Sequence, residues 1–300
     1  MDVVKAGLCI YVLSQPAAFA TELYKYKDSR GKWAFSDKAP QGDQAVDKVE
    51  YKGNKKGPAR PRVYSRNIDG EYALVLHNPY YAPVEVEIAS SVYKSGRHRE
   101  TVTGNTTKIL YKSSSKIPSY RYRLRLGDPK SQEDGYIYRF PVSSRRSNKI
   151  TQGFNGRFSH TQSPNVYALD IALPIGTYIS AARGGTVIWV KDDYHMGGKN
   201  HYFLDKANFV KVLHEDGTYA VYAHILQGSS LVRPGDKVAV GDMLARSGTS
   251  GYSTGPHLHF VIRKNKGLSS TSVPFKFIDR TGVPFKPVRG MQVDGIGNNS

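Results

Sequence analysis

The sequence predicts an all-β chain of more than one unit. Three observations carry this reading. Apolar residues alternate in period two through much of the chain after Val63, the pattern of half-buried strands. Turn formers are frequent, with 29 Gly and 16 Pro among 300 residues. No convincing amphipathic helix interrupts the C-terminal half. A chain of this length exceeds one average domain and allows two or three.

Residues 1–20 read as an export signal. Lys5 supplies the positive start, Ala6 to Leu13 is mostly apolar and too short to span a bilayer, and Ala18-Phe19-Ala20 has the small-x-small form of a cleavage site. A buried N-terminal strand is the alternative. Leu8 before Cys9 argues against a lipoprotein, where a small residue is needed. Cys9 is the single cysteine, so a processed chain has no thiol. Its core then holds by packing alone, and any metal site must use His and carboxylate ligands.

Residues 21–47 form a small β-hairpin unit. Leu23 to Asp28 and Trp33 to Ser36 are its two arms around the turn Ser29-Arg30-Gly31-Lys32. The pattern resembles a small N-terminal domain of unknown function found in many exported proteobacterial proteins. Residues 48–62 are rich in Lys, Arg, Gly and Pro and read as an exposed linker. From 63 to 148 short strands alternate with turns, predicting an accessory β-sandwich of immunoglobulin-like type. Tyr72–Leu76, Val84–Ile88 and Tyr136–Pro141 are clear strands. Tyr120–Leu126 sets two Tyr and two Leu on one face against three Arg on the other. That Arg stripe suits an anionic polymer or a solvated face equally. Residues 149–287 form a second β-rich domain, and 288–300 a flexible tail.

The formal charge of +18 implies an anionic partner: nucleic acid, a membrane surface or a cell-wall polymer. No zinc finger, helix-turn-helix or RNA-binding signature accompanies it, which argues against nucleic acid. No segment after the leader reaches the eighteen apolar residues of a transmembrane helix.

Seven of the nine histidines lie between His160 and His259. His257 and His259 alternate with Leu258 and Phe260 after a Gly-Pro turn. In a strand this places both imidazoles on one face, roughly 6–7 Å apart at the backbone. Alone, a His-x-His is weak, since many such pairs are surface coincidences. Asp170 stands between Leu169 and Ile171, where a carboxylate is costly unless paired or metal-bound. His224 ends the apolar run from Tyr219. Taken singly, each is more often structural than a ligand.

Together, these residues resemble the lysostaphin/LytM-type zinc metallopeptidases that cut peptidoglycan. The resemblance runs from about Gln152 to Phe275. Its signposts are His160 with Asp170, Pro174 to Thr177, Ala181 to Val187, His214 to Gly217, Tyr222-Ala223-His224, Val232 to Asp236, Ser247 to Gly251 and Ser253 to Phe260. It implies a duplicated-hybrid-motif-like antiparallel β-sandwich. It also implies one Zn2+ per chain on His160, Asp170 and His259, with His224 and His257 as the catalytic imidazoles. The spacing departs from the family's commonest form: nine residues separate His160 from Asp170. Asn155, His195 and His201 are therefore rival donors. The latter two lie in the polar loop 191–206, read as a wall of the substrate groove.

The chemistry suits hydrolysis. Three protein ligands leave zinc an open position for water, and the metal lowers the pKa of that water towards about 7. Two imidazoles can divide the proton transfers, and His257 is favoured as base because it neighbours a ligand on its strand. The resemblance thus implies an exported, periplasmic endopeptidase, with secretion as the alternative. Its partner would be peptidoglycan, cut most plausibly between D-Ala and meso-diaminopimelate, with a protein regulator or activator possible. Three other readings compete: an inactive, wall-binding amidase activator, a lipoyl-type carrier modified at Lys237, and a phosphohistidine transfer module. Intact His and Asp positions weigh against the first. An ordinary Pro-Gly turn at Lys237 weighs against the second, and export away from ATP against the third.

Overall fold

The computed structural model describes residues 59–297 in full and, before them, the backbones of three strands, Glu22–Lys27, Trp33–Ser36 and Asp47–Glu50. The export signal at 1–20 and the hairpin turn at 29–32 lie outside the described residues. In the N-terminal unit, Glu22–Lys27 pairs antiparallel with both other strands. The expected hairpin is thus joined by a third strand, Asp47–Glu50, at the start of the expected 48–62 linker.

Strands dominate the described chain, which contains no α-helix and one 3-10 turn at His201–Phe203. No helix among the described residues is long and apolar enough to cross a membrane. Residues 62–126 form two three-stranded antiparallel sheets. Glu71–Asn78 sits between Arg62–Ile68 and Thr106–Ser113, and Val84–Ala89 between Arg97–Val102 and Arg121–Leu126. The two sheets close on one core of Val63, Leu74, Leu76, Val86, Ile88 and Val102. Six strands stand here, where an immunoglobulin constant-type sandwich has seven. The Arg stripe is not a free face throughout. Arg123 and Arg99 both pair with Glu87, at 2.5 and 2.6 Å.

The expected boundary at 148 moves forward. Ile137–Arg139 pairs in parallel with Lys276–Ile278, and Val142–Ser143 pairs with Tyr178–Ser180. Tyr138, Phe140 and Val142 are buried in the core of the C-terminal domain. The Tyr136–Pro141 strand was legible as a strand, but alternation does not say which sheet a strand joins. The expected tail at 288–300 is likewise corrected. Gln292–Asp294 pairs with Ser147–Lys149, and Val293 is buried in the same core. Val293 with the partly buried Met291 and Ile296, and a bond from Ile296 N–H to the Val142 carbonyl, hold the segment in place.

The C-terminal domain is built on a nine-stranded sheet. Its centre runs Phe209–Leu213, Tyr219–Ala223, His257–Asn265, Leu169–Ala172 and Ser147–Gln152, all antiparallel. Alternation divides its faces. Leu258, Phe260 and Ile262, with Tyr222, Ala220, Leu169 and Ile171, enter the main core. Val221, Ala223 and Val261 lie on the other face, with Ala168 and Tyr219. His257, His259 and Asp170 share that second face by period two. Ala82 and Leu126 of the accessory sandwich pack on part of the same face. The rest is open and forms a cleft.

Candidate metal centre

Two neighbouring strands build the first part of the site. Asp170 and His259 are register partners on Leu169–Ala172 and His257–Asn265, so their side chains rise side by side. His259 Nδ1 lies 2.9 Å from Asp170 Oδ1. His160 reaches the same point from the loop after Gln152. Its backbone is tied by a bond from its N–H to the Gly156 carbonyl, and its ring is fully buried. His160 Nε2 stands 3.2 Å from Asp170 Oδ1. The three donor atoms lie within 4.8 Å of one another.

The protonation states say what this triad lacks. His160 Nδ1 is 3.0 Å from the Gly153 carbonyl, which can only accept, so the neutral ring carries its proton there. Nε2 is then a lone pair, buried and without a hydrogen-bond donor, and it faces a carboxylate oxygen. Two electron-rich atoms at that distance need a proton or a metal ion between them. Burial pushes the Asp170 carboxyl up, but the His160 and His259 imidazoles beside it hold it well below the usual carboxylate range. Two imidazole nitrogens and one carboxylate oxygen suit zinc, whose ligands in a tetrahedral site stand about 3.4 Å apart. The donors present therefore fit the metal.

Gln152 completes the support. Its Nε2 donates to Asp170 Oδ2 at 2.9 Å and to Ser159 Oγ at 2.8 Å. Asp170 Oδ2 is thus occupied, and Oδ1 is left for the metal. Such outer partners orient ligands and raise metal affinity.

His224 and His257 stand beside this triad, their ring centroids 4.5 Å apart. His257 Nε2 is 3.8 Å from Asp170 Oδ1. By strict alternation residue 224 would follow Tyr222 to the core face. Instead His224 has φ +63, in the left-handed region that non-glycine residues rarely adopt. This reverses the chain direction locally and carries the imidazole to the cleft face, 5.9 Å from the His259 ring. Such strain costs of order 1–3 kcal/mol and persists where surroundings enforce it.

The loop 247–255 is that enforcement. His224 Nδ1 donates to the Ser250 carbonyl at 2.7 Å, and Ser250 Oγ donates to the Ile225 carbonyl at 3.0 Å. His257 Nδ1 donates to the Gly255 carbonyl at 2.8 Å, with Ser253 Oγ at 3.3 Å. Both rings therefore present Nε2 as an acceptor. Gly248 allows the loop to come this close, since a Cβ there would lie 2.8 Å from Leu226 N and 3.0 Å from the His224 carbonyl. Burial, then His257 and His259, push the His224 pKa down to about 3, so the ring is neutral at ordinary pH.

All five expected site residues thus converge. The rival donors Asn155, His195 and His201 are all exposed, and Asn155 lines the neighbouring recess that also includes Asp170. His201 lines the rim of the cleft, in keeping with the loop 191–206 as its wall. Tyr222 is fully buried and its hydroxyl accepts from Ala182 N at 2.8 Å, a packing role. Sequence reasoning missed Gln152, Ser250 and Ser253. Their types are common in loops, and only the close approach of the loops reveals their partners.

The cleft itself has a volume of about 570 Å³ and includes His224, His257, His259 and Asp170. Next to it, sharing Asp170, Phe158 and Thr254, lies a recess of about 860 Å³ edged by Arg157, Lys286 and Arg289.

Residues 165–270 match peptidase family M23, and residues 11–63 match a domain of unknown function, DUF4124. The M23 span holds Asp170, His224, His257 and His259, and His160 lies just before it. The peptidoglycan DD-endopeptidase ShyB of Vibrio cholerae is 26% identical over 243 residues, 71% of this chain and 54% of that protein. The peptidoglycan DD-endopeptidase ShyA of the same organism is 30% identical over 127 residues, 41% of this chain and 26% of that protein. The chain thus spans about half of the one and a quarter of the other. Among solved structures, a catalytic-domain mutant of the prophage-encoded M23 protein EnpA from Enterococcus faecalis is 28% identical. It covers 42% of this chain and 87% of its own, with a TM-score of 0.33.

Proposed function

We propose that this chain, which carries a domain of peptidase family M23, is a zinc-dependent endopeptidase that hydrolyses amide bonds in peptidoglycan stem peptides or cross-links. The bond we favour is the D-Ala to meso-diaminopimelate cross-bridge, in keeping with the DD-endopeptidase names of ShyA and ShyB. The observation that carries the reading is the convergence of His160 Nε2, Asp170 Oδ1 and His259 Nδ1 beside two further imidazoles in an open cleft.

In this reading His160, Asp170 and His259 hold one zinc ion, and His224 and His257 work on the substrate. When bound, zinc supplies Lewis acidity, polarising the scissile carbonyl and making water acidic. Gln152 keeps the Asp170 carboxylate turned to the metal. His257 Nε2, held by the Nδ1 bond to Gly255, accepts the proton of the attacking water. His224 Nε2, held by the Nδ1 bond to Ser250 and with its ring beside that of His257, takes over the proton that His257 receives from water, and then stabilises the carbonyl oxygen or delivers that proton to the leaving amine. Both rings are preset by the same loop, so little reorganisation accompanies reaction.

An exported, periplasmic setting agrees with the leader-like N-terminus and with a wall polymer as substrate. The net charge of +18 favours association with that polymer's carboxylates. The test is zinc content together with muropeptide release from intact sacculi, with products separated by mass. One zinc per chain and conversion of cross-linked dimers to monomers is the expected result. No zinc and no product would sink the enzymatic reading in favour of a wall-binding role.

A further inference from the structure

The cleft continues past the imidazoles along the strand direction, and its far end carries two cations. Arg263 is on the same strand face as His259, four residues on, roughly 13 Å along the strand. Lys211 is on Phe209–Leu213, in register with Val221, which is in register with Val261. Both side chains line the cleft that holds the catalytic imidazoles.

Neither cation is satisfied by a carboxylate among the described residues. Lys211 is half-buried, its ammonium 4.4 Å from the Trp189 ring centroid and 4.7 Å from that of Phe209. Arg263 Nε donates to the Pro164 carbonyl at 3.1 Å, and its terminal nitrogen bonds Asn165 Oδ1. These neutral partners orient the guanidinium and leave its charge unneutralised. Asp205 also lines the cleft, but its carboxylate is exposed and pairs with Lys206 at 3.2 Å. Burial, then Arg263, push the Lys211 pKa down to about 7, and a carboxylate bound beside it favours its charged form. Arg60, just before the accessory sandwich, and Arg125 within it line the recess behind the two cations, with Tyr80 and Leu126. The accessory domain thus closes this end of the groove and adds to its positive charge.

We infer that Lys211 and Arg263 form a subsite for a free carboxylate of the substrate peptide, an inference that rests on the reading of the cleft as a peptide-hydrolysing site. An extended peptide advances about 3.4 Å per residue, and both side chains are long. The bound carboxylate therefore belongs to a residue within roughly two to four positions of the scissile amide. It meets two cations in a partly dry setting, where a charge-assisted hydrogen bond is stronger than at an open surface. The subsite selects peptides that carry a free carboxylate there over their amidated forms.

The test uses a purified cross-linked muropeptide dimer and the same dimer with its free carboxylates converted to carboxamides. The zinc-loaded full chain is assayed for kcat/KM on both, and for Kd on both by calorimetry with the zinc-free chain. The free acid should be preferred about tenfold or more in kcat/KM and in Kd. Lys211→Met should bring both ratios near one with bound zinc retained, and Lys211→Arg should restore them. A wild-type ratio near one, or a Lys211→Met ratio equal to wild type, would overturn the subsite. The binding arm separates the two readings. Carboxylate-dependent binding without any hydrolysis rejects the enzymatic reading and keeps the subsite, whereas hydrolysis without discrimination does the reverse.

Discussion

Asp170 and His259 are register partners on adjacent antiparallel strands, with Asp170 Oδ1 2.9 Å from His259 Nδ1. Their separation is set by the sheet ladder, the most rigid element available, and not by a loop. His160 alone comes from a loop, and its buried Nε2 has no donor of its own.

Metal affinity should follow this hierarchy. His259→Ala should lose bound zinc and activity together, with affinity down by more than about 100-fold, and Asp170→Asn should weaken zinc in the same direction. Gln152→Ala leaves all three ligands but frees Asp170 Oδ2, and should cost about 10–100-fold in zinc affinity. Competition titration with a chelator of known affinity reads all three. Full zinc occupancy in His259→Ala would refute the ligand assignment.

His224 and His257 should separate metal from turnover. Each →Ala variant should keep zinc and lose about 10²–10⁴ in kcat. Ser250→Ala removes the hydroxyl that ties the loop to the Ile225 carbonyl, yet keeps the carbonyl that orients His224. It should therefore lower kcat less than His224→Ala. Wild-type rates in either histidine variant would remove that residue from the mechanism.

Part of this site was legible because its residues obey strand alternation. His257, His259 and Asp170 lie on the face that period two assigns them, and a carboxylate between Leu169 and Ile171 signals a partner by its burial cost. His224 breaks the alternation through a left-handed backbone, and no local pattern announces that turn. Nine residues separate His160 from Asp170, and the resemblance alone named it over Asn155, His195 and His201; the folded chain brings its ring to Asp170. Lys211 and Arg263 stand at polar strand positions that no sequence pattern sets apart. Their shared cleft depends on the pairing of three strands, and on an accessory sandwich whose residues are distant in the sequence.

Acid should destabilise the C-terminal domain through His214. Its Nδ1 donates to the Gly184 carbonyl at 3.0 Å, Nε2 is buried without a partner, and burial pushes its pKa down to about 4. The folded value lies below the ordinary 6.5, so folding favours the neutral ring. This contribution is fully present above about pH 6.5 and is lost as pH falls towards 4. Its upper size is about 3 kcal/mol, from about 1.4 kcal/mol per pKa unit. Denaturant unfolding of the zinc-free chain between pH 7 and 4 should show a steeper fall for wild type than for His214→Gln. Parallel curves would rule His214 out as the source.

The accessory sandwich should prove coupled to the peptidase sheet through Glu85. This carboxylate is 1% exposed, and its Oε2 accepts from Asn265 Nδ2 at 2.7 Å and from Leu268 N at 2.6 Å. Asn265 Nδ2 also reaches the Gly127 carbonyl at 3.0 Å, and Arg125 Nε donates to the Leu268 carbonyl at 3.1 Å. Glu85→Ala would leave the half-buried Leu268 N–H without its acceptor and the Asn265 amide with the Gly127 carbonyl alone, a loss of about 1–3 kcal/mol. Beside that network the sandwich meets the sheet through Ala82 and Leu126 against Val221 and Val261 and through the Tyr80 ring on Trp189. Calorimetry should therefore resolve two unfolding transitions in Glu85→Ala where wild type shows one. If the cationic end of the cleft depends on this docking, the same variant should also lose preference for carboxylate-bearing peptides, because Arg60 and Arg125 leave with the sandwich. A single transition at the wild-type temperature would mean that the network contributes nothing to docking.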